Sequence, residues 1–234
     1  MLRHHRHVEA VDSVAANEGM TTKPAAFSDE LVALLGSGLA DATSYSMMTI
    51  MRYPDGHKEA VRERIVAAAA SALRGRGLAG VSIPGLMKSA GLTHGGFYAH
   101  FGDRDELVAA AVEAAGAATA KGAFGESLTL EETLSRYLSN GHVEHPEEGC
   151  VVAALGTDGC RQPPRVRRAF ADVARGLLRL VERKLHRARP SRTVSDEALR
   201  VASTMVGAVV LARLVDDPKL ADRILRSARE SASE

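Results

Sequence analysis

SIPGLMKSAGLTHGGFYAHFGDRDEL, residues 82–107, is the stretch whose punctuation decides the fold. Ser82 is placed to accept backbone N–H bonds as an N-cap, with Pro84 in the first turn, where a missing donor costs little. The short helix that follows carries Leu86 and Met87 inward and must stop at Gly91, which supplies a left-handed residue that ends a helix and turns the chain. Thr93 is expected to cap a second short helix from His94 to about His100. Its apolar positions Phe97 and Phe101 stand four apart and anchor one face. The other face is His94, Gly95, Gly96, Tyr98 and His100. Asp103 opens a third helix, and Glu106 completes a capping-box pattern before the apolar series Leu107, Val108, Ala111, Val112, Ala115.

Two helices joined by a glycine-containing turn make a helix-turn-helix, whose second helix enters a DNA major groove. Two adjacent glycines weaken that second helix by about 1 kcal/mol each relative to alanine, so close backbone approach by something must matter more than propensity. Phosphate oxygens or base edges are one such approach; the packing of two protein helices on each other is the other.

The run from about Arg62 to Val112, centred on AGLTHGGFYAHFGDRDELVAAAV, resembles the N-terminal DNA-binding domain of the TetR/AcrR regulators. The Phe-Tyr-x-His-Phe run, the Gly-Leu-Thr turn and the downstream Asp-Glu-Leu carry the resemblance at matched spacings. Ile83-Pro84-Gly85 departs from it, since relatives place polar residues there. The resemblance implies that Tyr98, His100 and the basic residue Arg104, at a helix N-terminus, bind backbone phosphates; free N–H groups and a full charge at that end suit an anion. Base reading falls to Thr93, His94, Gly95 and Gly96, with Ser82 at the start of the preceding helix. Because glycines specify no base, His94 is the one strong hydrogen-bonding side chain there and shape readout gains weight.

Composition agrees with a helical, DNA-binding chain only in part. At 234 residues and 45% hydrophobic, the chain can bury a substantial core, and 4% aromatics with abundant alanine, leucine, valine and arginine favours helices. The formal net charge of +1 is no nucleic-acid signature, so attraction to DNA must come from local clusters of Arg, Lys and His. No run of about 18 apolar residues exists, which argues against a membrane span. Two cysteines, Cys150 and Cys160, make no disulfide framework, and the expected location is cytoplasmic.

Residues 1–50 lack sustained periodicity and are expected to be a disordered extension, with no signal-peptide core. Ser28–Leu39 has the pattern of a short amphipathic helix, and His4, His5 and His7 read either as a solvated basic tail or as metal ligands. Residues 51–102 are expected to hold the helix-turn-helix domain, with a first helix from about His57 to Leu73 ended by Gly75–Gly77. Upstream, Arg52, Tyr53, His57 and Lys58 form a basic arm that either lies along a DNA backbone or is an ordinary exposed start. Residues 103–120 are the linking helix and 121–234 the ligand-binding and dimerisation domain.

In that second part, Thr129 or Ser127 caps a helix carrying Leu134, Tyr137 and Leu138. The loop GHVEHPEEG follows, offering His142, Glu144, His145, Glu147 and Glu148 as metal-type ligands or as a plain polar turn. Cys150 sits in an apolar helical turn, a buried small hydrophobe or a reactive thiol helped by nearby histidines. Pro163-Pro164 start a long helix with Val166, Phe170, Val173, Leu177, Val181 and Leu185 on one stripe, ended by Pro190. Ser195-Asp196-Glu197 open a helix apolar nearly all round, which with the last helix, Pro218 to about Arg229, resembles the family's dimerisation pair.

The expected protein is all-α and homodimeric, a transcriptional regulator, repressor rather than activator, binding a palindromic double-stranded DNA operator. Release from DNA by a small molecule bound in a cavity lined from about Leu134 to Val181 is expected, with Tyr137, Phe170 and Cys150 as effector or redox residues. The alternatives are a thiol sensor built on Cys150, a Cys–His enzyme and a DNA-compacting protein without a preferred site. No cofactor, resident metal or catalytic residue is called for.

Overall fold

The computed structural model describes residues 56–187 and 193–233, which form nine α-helices and one 3-10 helix with no strand among them. The expectations for residues 1–50, the three early histidines and the Ser28–Leu39 helix included, lie outside the described residues, as do Arg52 and Tyr53 of the basic arm.

Helix α1 (His57–Arg76) buries Val61, Ile65, Ala69 and Leu73 at helical spacing and ends on Gly77 at φ 78. Helix α2 (Ile83–Ser89) starts as its sequence requires, with Ser82 Oγ accepting from the Gly85 N–H at 3.3 Å. It is turned by Gly91 at φ 73, a left-handed conformation that costs a side-chain-bearing residue about 1 kcal/mol or more. The next helix, η1 (His94–Ala99), is a 3-10 helix, tighter than the ordinary short helix its pattern suggests. Its bonds run from the Gly96 N–H to Thr93 O at 3.1 Å and from the His100 N–H to Phe97 O at 2.9 Å. Thr93 holds the N-cap position, but its side chain accepts no capping bond. With no cap and two glycines, little propensity favours a full α-helix, and the segment is set instead by Phe97 and Phe101, buried and stacked with ring centroids 5.6 Å apart.

Helix α3 (Arg104–Gly122) opens on Asp103, whose Oδ1 accepts from the Glu106 N–H at 2.7 Å. Glu106 reaches back one residue further than a capping box requires, accepting from the Gly102 N–H at 2.9 Å. Helix α4 (Leu130–Tyr137) has the full reciprocal box between Thr129 and Glu132. The segment read as a loop contains a helical turn, α5 (Asn140–Glu144), because Ser139 Oγ caps the His142 N–H at 3.2 Å. Helices α6 (Val151–Gly159), α7 (Pro164–Leu185), α8 (Asp196–Leu214) and α9 (Pro218–Ser233) complete the chain. Helix α7 stops short of Pro190. Buried Glu182 accepts from both the N–H and Oγ of Ser195, at 2.9 and 2.7 Å, and so staples the end of α7 to the start of α8.

Two apolar clusters result. The first joins α1, α2, η1 and α3 and continues into Val151 and Leu155 of α6 and Val166, Ala169 and Phe170 of α7. The second collects Phe124, Leu134, Tyr137 and Cys150 with the C-terminal half of α7 and with α8 and α9. Helices α6 and α7 therefore serve both. Helix α3 lies against α7 with no slack, since a methyl on Gly116 would stand 2.8 Å from Val173. Phe170, 7% exposed, packs its ring over Gly159 in the first cluster.

Candidate functional site

Folding of the 82–107 stretch leaves one face of η1 open. Tyr98 is 66% exposed, its ring edge-on to Phe97 at 5.2 Å and to His94 at 6.2 Å, and His94 and Gly95 are exposed beside it. A Cβ on Gly95 would meet nothing within 4 Å, and one on Gly96 would touch only Thr93 Oγ1 at 3.7 Å and Met87 Cε at 3.8 Å. Neither glycine is required for helices of this chain to touch, and neither has positive φ. The space beside Gly95 is open, while Gly96 turns toward Thr93 and Met87.

The expected phosphate contacts differ in how free they are. His100 is half-buried near the start of α1, and burial, then the Lys58 and Arg62 charges, hold its pKa below the usual imidazole value; its buried Nδ1 has no hydrogen-bond partner among the described residues. Arg104 donates through Nη2 to Leu78 O, so part of its fork holds the turn after α1 and the rest remains for an anion. Ser82 Oγ is taken up by its own helix cap. Arg62, with its guanidinium 4.9 Å over the Phe101 ring, and exposed Lys88 in the last turn of α2 add cationic groups that sequence reading did not single out. Lys88 stands just before the Gly91 turn, while Arg62 lies within α1 and pairs with Glu106 at 3.9 Å.

Between α3 and α7 lies a cavity of about 380 Å³ lined by Gly116, Ala120, Val173, Gly176, Leu177 and Cys150. A smaller one of about 230 Å³ shares Cys150 and is walled by Tyr137, His142 and Gly149. Leu134 lies in the adjoining core and Phe170 in the other cluster, so the stretch expected to line the cavity contributes to it mainly through α7. Tyr137 borders the smaller cavity, 1% exposed. Burial, with the adjacent Cys150 adding to it, pushes the phenol well above its ordinary pKa.

His142 is locked edge-on to Tyr137 with ring centroids 4.6 Å apart. Its Nε2 accepts from the Cys150 backbone N–H at 2.9 Å, which requires the proton to sit on Nδ1, donated to Tyr137 O at 2.6 Å. Burial lowers its pKa, and Arg213 and Arg74 oppose its charged form. Both ring nitrogens thus serve backbone groups, and the expected help from a histidine to the Cys150 thiol is not assembled here. His145 Nδ1 meets Glu147 Oε1 at 3.2 Å, but no group of three metal-type ligands converges among the described residues. Arg213 Nη2 donates to His142 O at 2.5 Å and Arg74 Nη1 to Gly149 O at 2.9 Å, which ties the last turn of α1 to the cavity wall. Cys150 is a free thiol, 3% exposed, and Cys160 a free exposed one. No helix among the described residues is long and apolar enough to cross a membrane.

Comparison with known proteins places these features. The profile of bacterial regulatory proteins of the tetR family matches residues 65–111, and that of a tetracyclin repressor-like C-terminal domain matches residues 129–228. An uncharacterised HTH-type transcriptional regulator of Mycobacterium tuberculosis is 29% identical over 178 residues, covering 72% of this chain and 92% of its own. Among solved structures, the reduced form of E. coli NemR superposes with a TM-score of 0.60 at 22% identity, covering 74% of this chain and 95% of its own. AibR in complex with isovaleryl coenzyme A and operator DNA superposes with a TM-score of 0.52 at 15% identity, covering 73% and 97%.

Proposed function

Since the chain belongs to the TetR family of helix-turn-helix transcriptional regulators, we propose that it acts in the cytoplasm as a homodimeric repressor, released from a palindromic operator by a small molecule. The observation that carries this reading is the outward face of η1, where Tyr98, His94 and Gly95 are uncovered while Phe97 and Phe101 hold the helix to the core. In this reading residues 51–102 form the DNA head, 103–120 the link, and 121–234 the effector and dimerisation domain. Thr93, His94, Gly95 and Gly96 approach the bases, and Tyr98, His100 and the free part of Arg104 approach phosphates. Arg62, Lys88 and Ser82 border that footprint. Exposed Leu199, Leu211, Leu214 and Leu220 on α8 and α9 supply the apolar surface that a two-fold mate would cover. Two heads so paired would reach half-sites about one DNA turn, ~34 Å, apart.

The AibR complex contains both operator DNA and a small ligand, which supports assigning the same two partner classes here. The test is anisotropy or gel-shift titration, at fixed salt, of DNA flanking the reading frame. His94→Ala and Tyr98→Phe are expected to weaken binding while the dimer persists by light scattering. Unchanged affinity in both variants would refute the assigned face.

A second reading keeps the cavity and makes Cys150 the sensing atom, favoured by that free thiol lining both cavities. Cys150→Ser should then retain DNA binding and lose any response to oxidants. A surviving response rules it out.

A further inference from the structure

The cavity between α3 and α7 is electrically graded along its length. Helices α3 and α7 run in the same direction past it, since Asp103 meets Arg165, Gly116 meets Val173 and Gly125 O meets Lys184; of the lining residues Glu113 and Asp172 therefore lie toward one end and Arg179 and Arg183 toward the other. Beyond Arg183 it opens into a larger groove of about 930 Å³ that shares Ala120, Leu180 and Arg183 and adds Lys121, Lys184 and Arg187. One end is therefore acidic, with Asp172 paired to Arg175 at 2.5 Å, the middle is apolar and small-residued, and the far end is basic.

The bland account of the basic end is that cations near helix C-termini offset the helix dipole. The magnitudes do not let that account suffice. Each helix end carries about half a negative charge, and two helices, α3 and α7, end here. The groove is lined by the four cations Lys121, Arg183, Lys184 and Arg187 against the single carboxylate of Glu126. A surplus of roughly two positive charges is left after the dipoles are counted. Two of the cations are also structurally occupied: Lys184 Nζ donates to Gly125 O and Leu128 O at 2.7 and 2.6 Å, and Arg187 donates to Glu126 O at 3.1 Å. Lys121 and Arg183 have no hydrogen-bond or ion-pair acceptor among the described residues. Burial, followed by the charge of neighbouring Arg187, lowers the Lys184 pKa.

We propose that the α3–α7 cavity and the groove beyond it take an amphipathic anion, its apolar body against Gly116, Ala120, Gly176 and Leu177 and its carboxylate or phosphate head on Lys121 and Arg183. Glu113 at the opposite end, where Asp172 is already paired to Arg175, disfavours the reversed orientation of the head. The cavity is of the size that holds the body of a small ligand, since such sites span about 300–1,000 Å³. This inference rests on the reading of the cavity as the effector site.

The test is calorimetric titration of the full chain with decanoate, its uncharged methyl ester and decanoyl coenzyme A. Decanoate or the thioester should bind and the ester should bind at least about tenfold more weakly, a difference of about 1.4 kcal/mol. Preference for decanoate assigns a carboxylate head and preference for the thioester a phosphate head. Lys121→Gln with Arg183→Gln should lower affinity for the anion about tenfold or more and leave the ester unchanged. Gly176→Leu fills the cavity from a position where a Cβ meets nothing within 4 Å, and replaces a poor helix former, so it should fold at least as well and lose the ligand. Equal binding of acid and ester, no binding of either anion, or full affinity in the double variant or in Gly176→Leu would overturn the proposal. Operator release is measured separately. An anion that binds here without releasing DNA refutes the effector reading alone, and release by an uncharged compound that occupies this cavity refutes the anion alone.

Discussion

Gly95→Ala should move stability and function in opposite directions. Gly95 has no positive φ, and a methyl there would meet nothing within 4 Å, so alanine fits the folded chain without strain. By restricting the unfolded chain it should stabilise the fold by about 0.4–1 kcal/mol. If the η1 backbone approaches a duplex closely, the same methyl occupies space the DNA needs. A loss of about tenfold in operator affinity, about 1.4 kcal/mol, is expected. Gly96→Ala is the internal comparison, because its methyl turns toward Thr93 Oγ1 and Met87 Cε at ordinary contact distance and should cost the operator less. The assays are thermal unfolding and fluorescence anisotropy on operator DNA at one salt concentration, since electrostatic affinity is salt-dependent. A Gly95→Ala protein that is stabilised and binds operator as tightly as wild type would refute the placement of this face on DNA.

Gly149→Ala should destabilise the fold by about 2–3 kcal/mol, because the new Cβ would stand 2.6 Å from His142 Nε2 and 3.1 Å from Arg213 Nη2 and dislodge the ring that accepts from Cys150; an unchanged urea midpoint would contradict it. His142 and His100 both have lowered folded-state pKa values, so the unfolded chain binds more protons below its ordinary imidazole value of about 6.5. Stability should be level above about pH 6.5 and fall as pH drops from there toward the lowered folded values, with a shallower fall in His142→Gln; an unfolding free energy flat across that window would refute it. The Glu182 carboxylate, held below its usual pKa by the Ser195 N–H and hydroxyl, adds its own loss only below about pH 4.5, so the two windows separate. Arg74→Met should leave operator affinity near wild type and weaken effector-driven release by about tenfold or more, the worth of one charge-assisted hydrogen bond of about 1.5–3 kcal/mol; undiminished release in a competition titration would exclude the link.

What the sequence made legible was local. Ser82, Asp103, Thr129 and Ser195 each cap a helix by accepting from the backbone N–H three residues on, as a one-dimensional reading can see. Gly77 and Gly91 turn the chain at positive φ for the same reason. What stayed hidden depends on partners far apart in the chain. Arg104 reads as a free charge at a helix start until Leu78 O arrives from 26 residues away. His142 reads as a metal ligand or a thiol's neighbour until the fold presents Tyr137 O to one ring nitrogen and the Cys150 N–H to the other. Phe170 shares a stripe with Leu177 and Val181, and periodicity cannot say that a single helix divides its stripe between two clusters. The cavity itself exists because Gly116 lets α3 approach Val173 while Gly176 leaves a gap a few residues on, a relation between helices that no single stretch contains.

The same geometry bounds how a cavity ligand could move the DNA head. A switch from 1:99 to 99:1 needs about 5.5 kcal/mol of differential affinity between the two states. A polar link to the head runs from the smaller cavity, which shares Cys150 with the first: the Arg74–Gly149 bond at 2.9 Å, worth about 1.5–3 kcal/mol, which is too little in one subunit and of the right order in two. The remaining lever is α3. At Gly116 it has no slack against Val173, so a body entering the cavity cannot be accommodated by compression, because packed interiors are nearly incompressible. At its start α3 is held to α7 by the exposed Asp103–Arg165 pair at 3.3 Å, an interaction worth no more than about 1 kcal/mol. The first turns of α3 bury Leu107, Val108, Ala111 and Val112 in the same apolar cluster as Phe97 and Phe101 of the η1 segment, so a displacement of α3 carries the head with it. In the proposed dimer, two copies of that displacement would change the separation of the paired heads without altering the face that either presents.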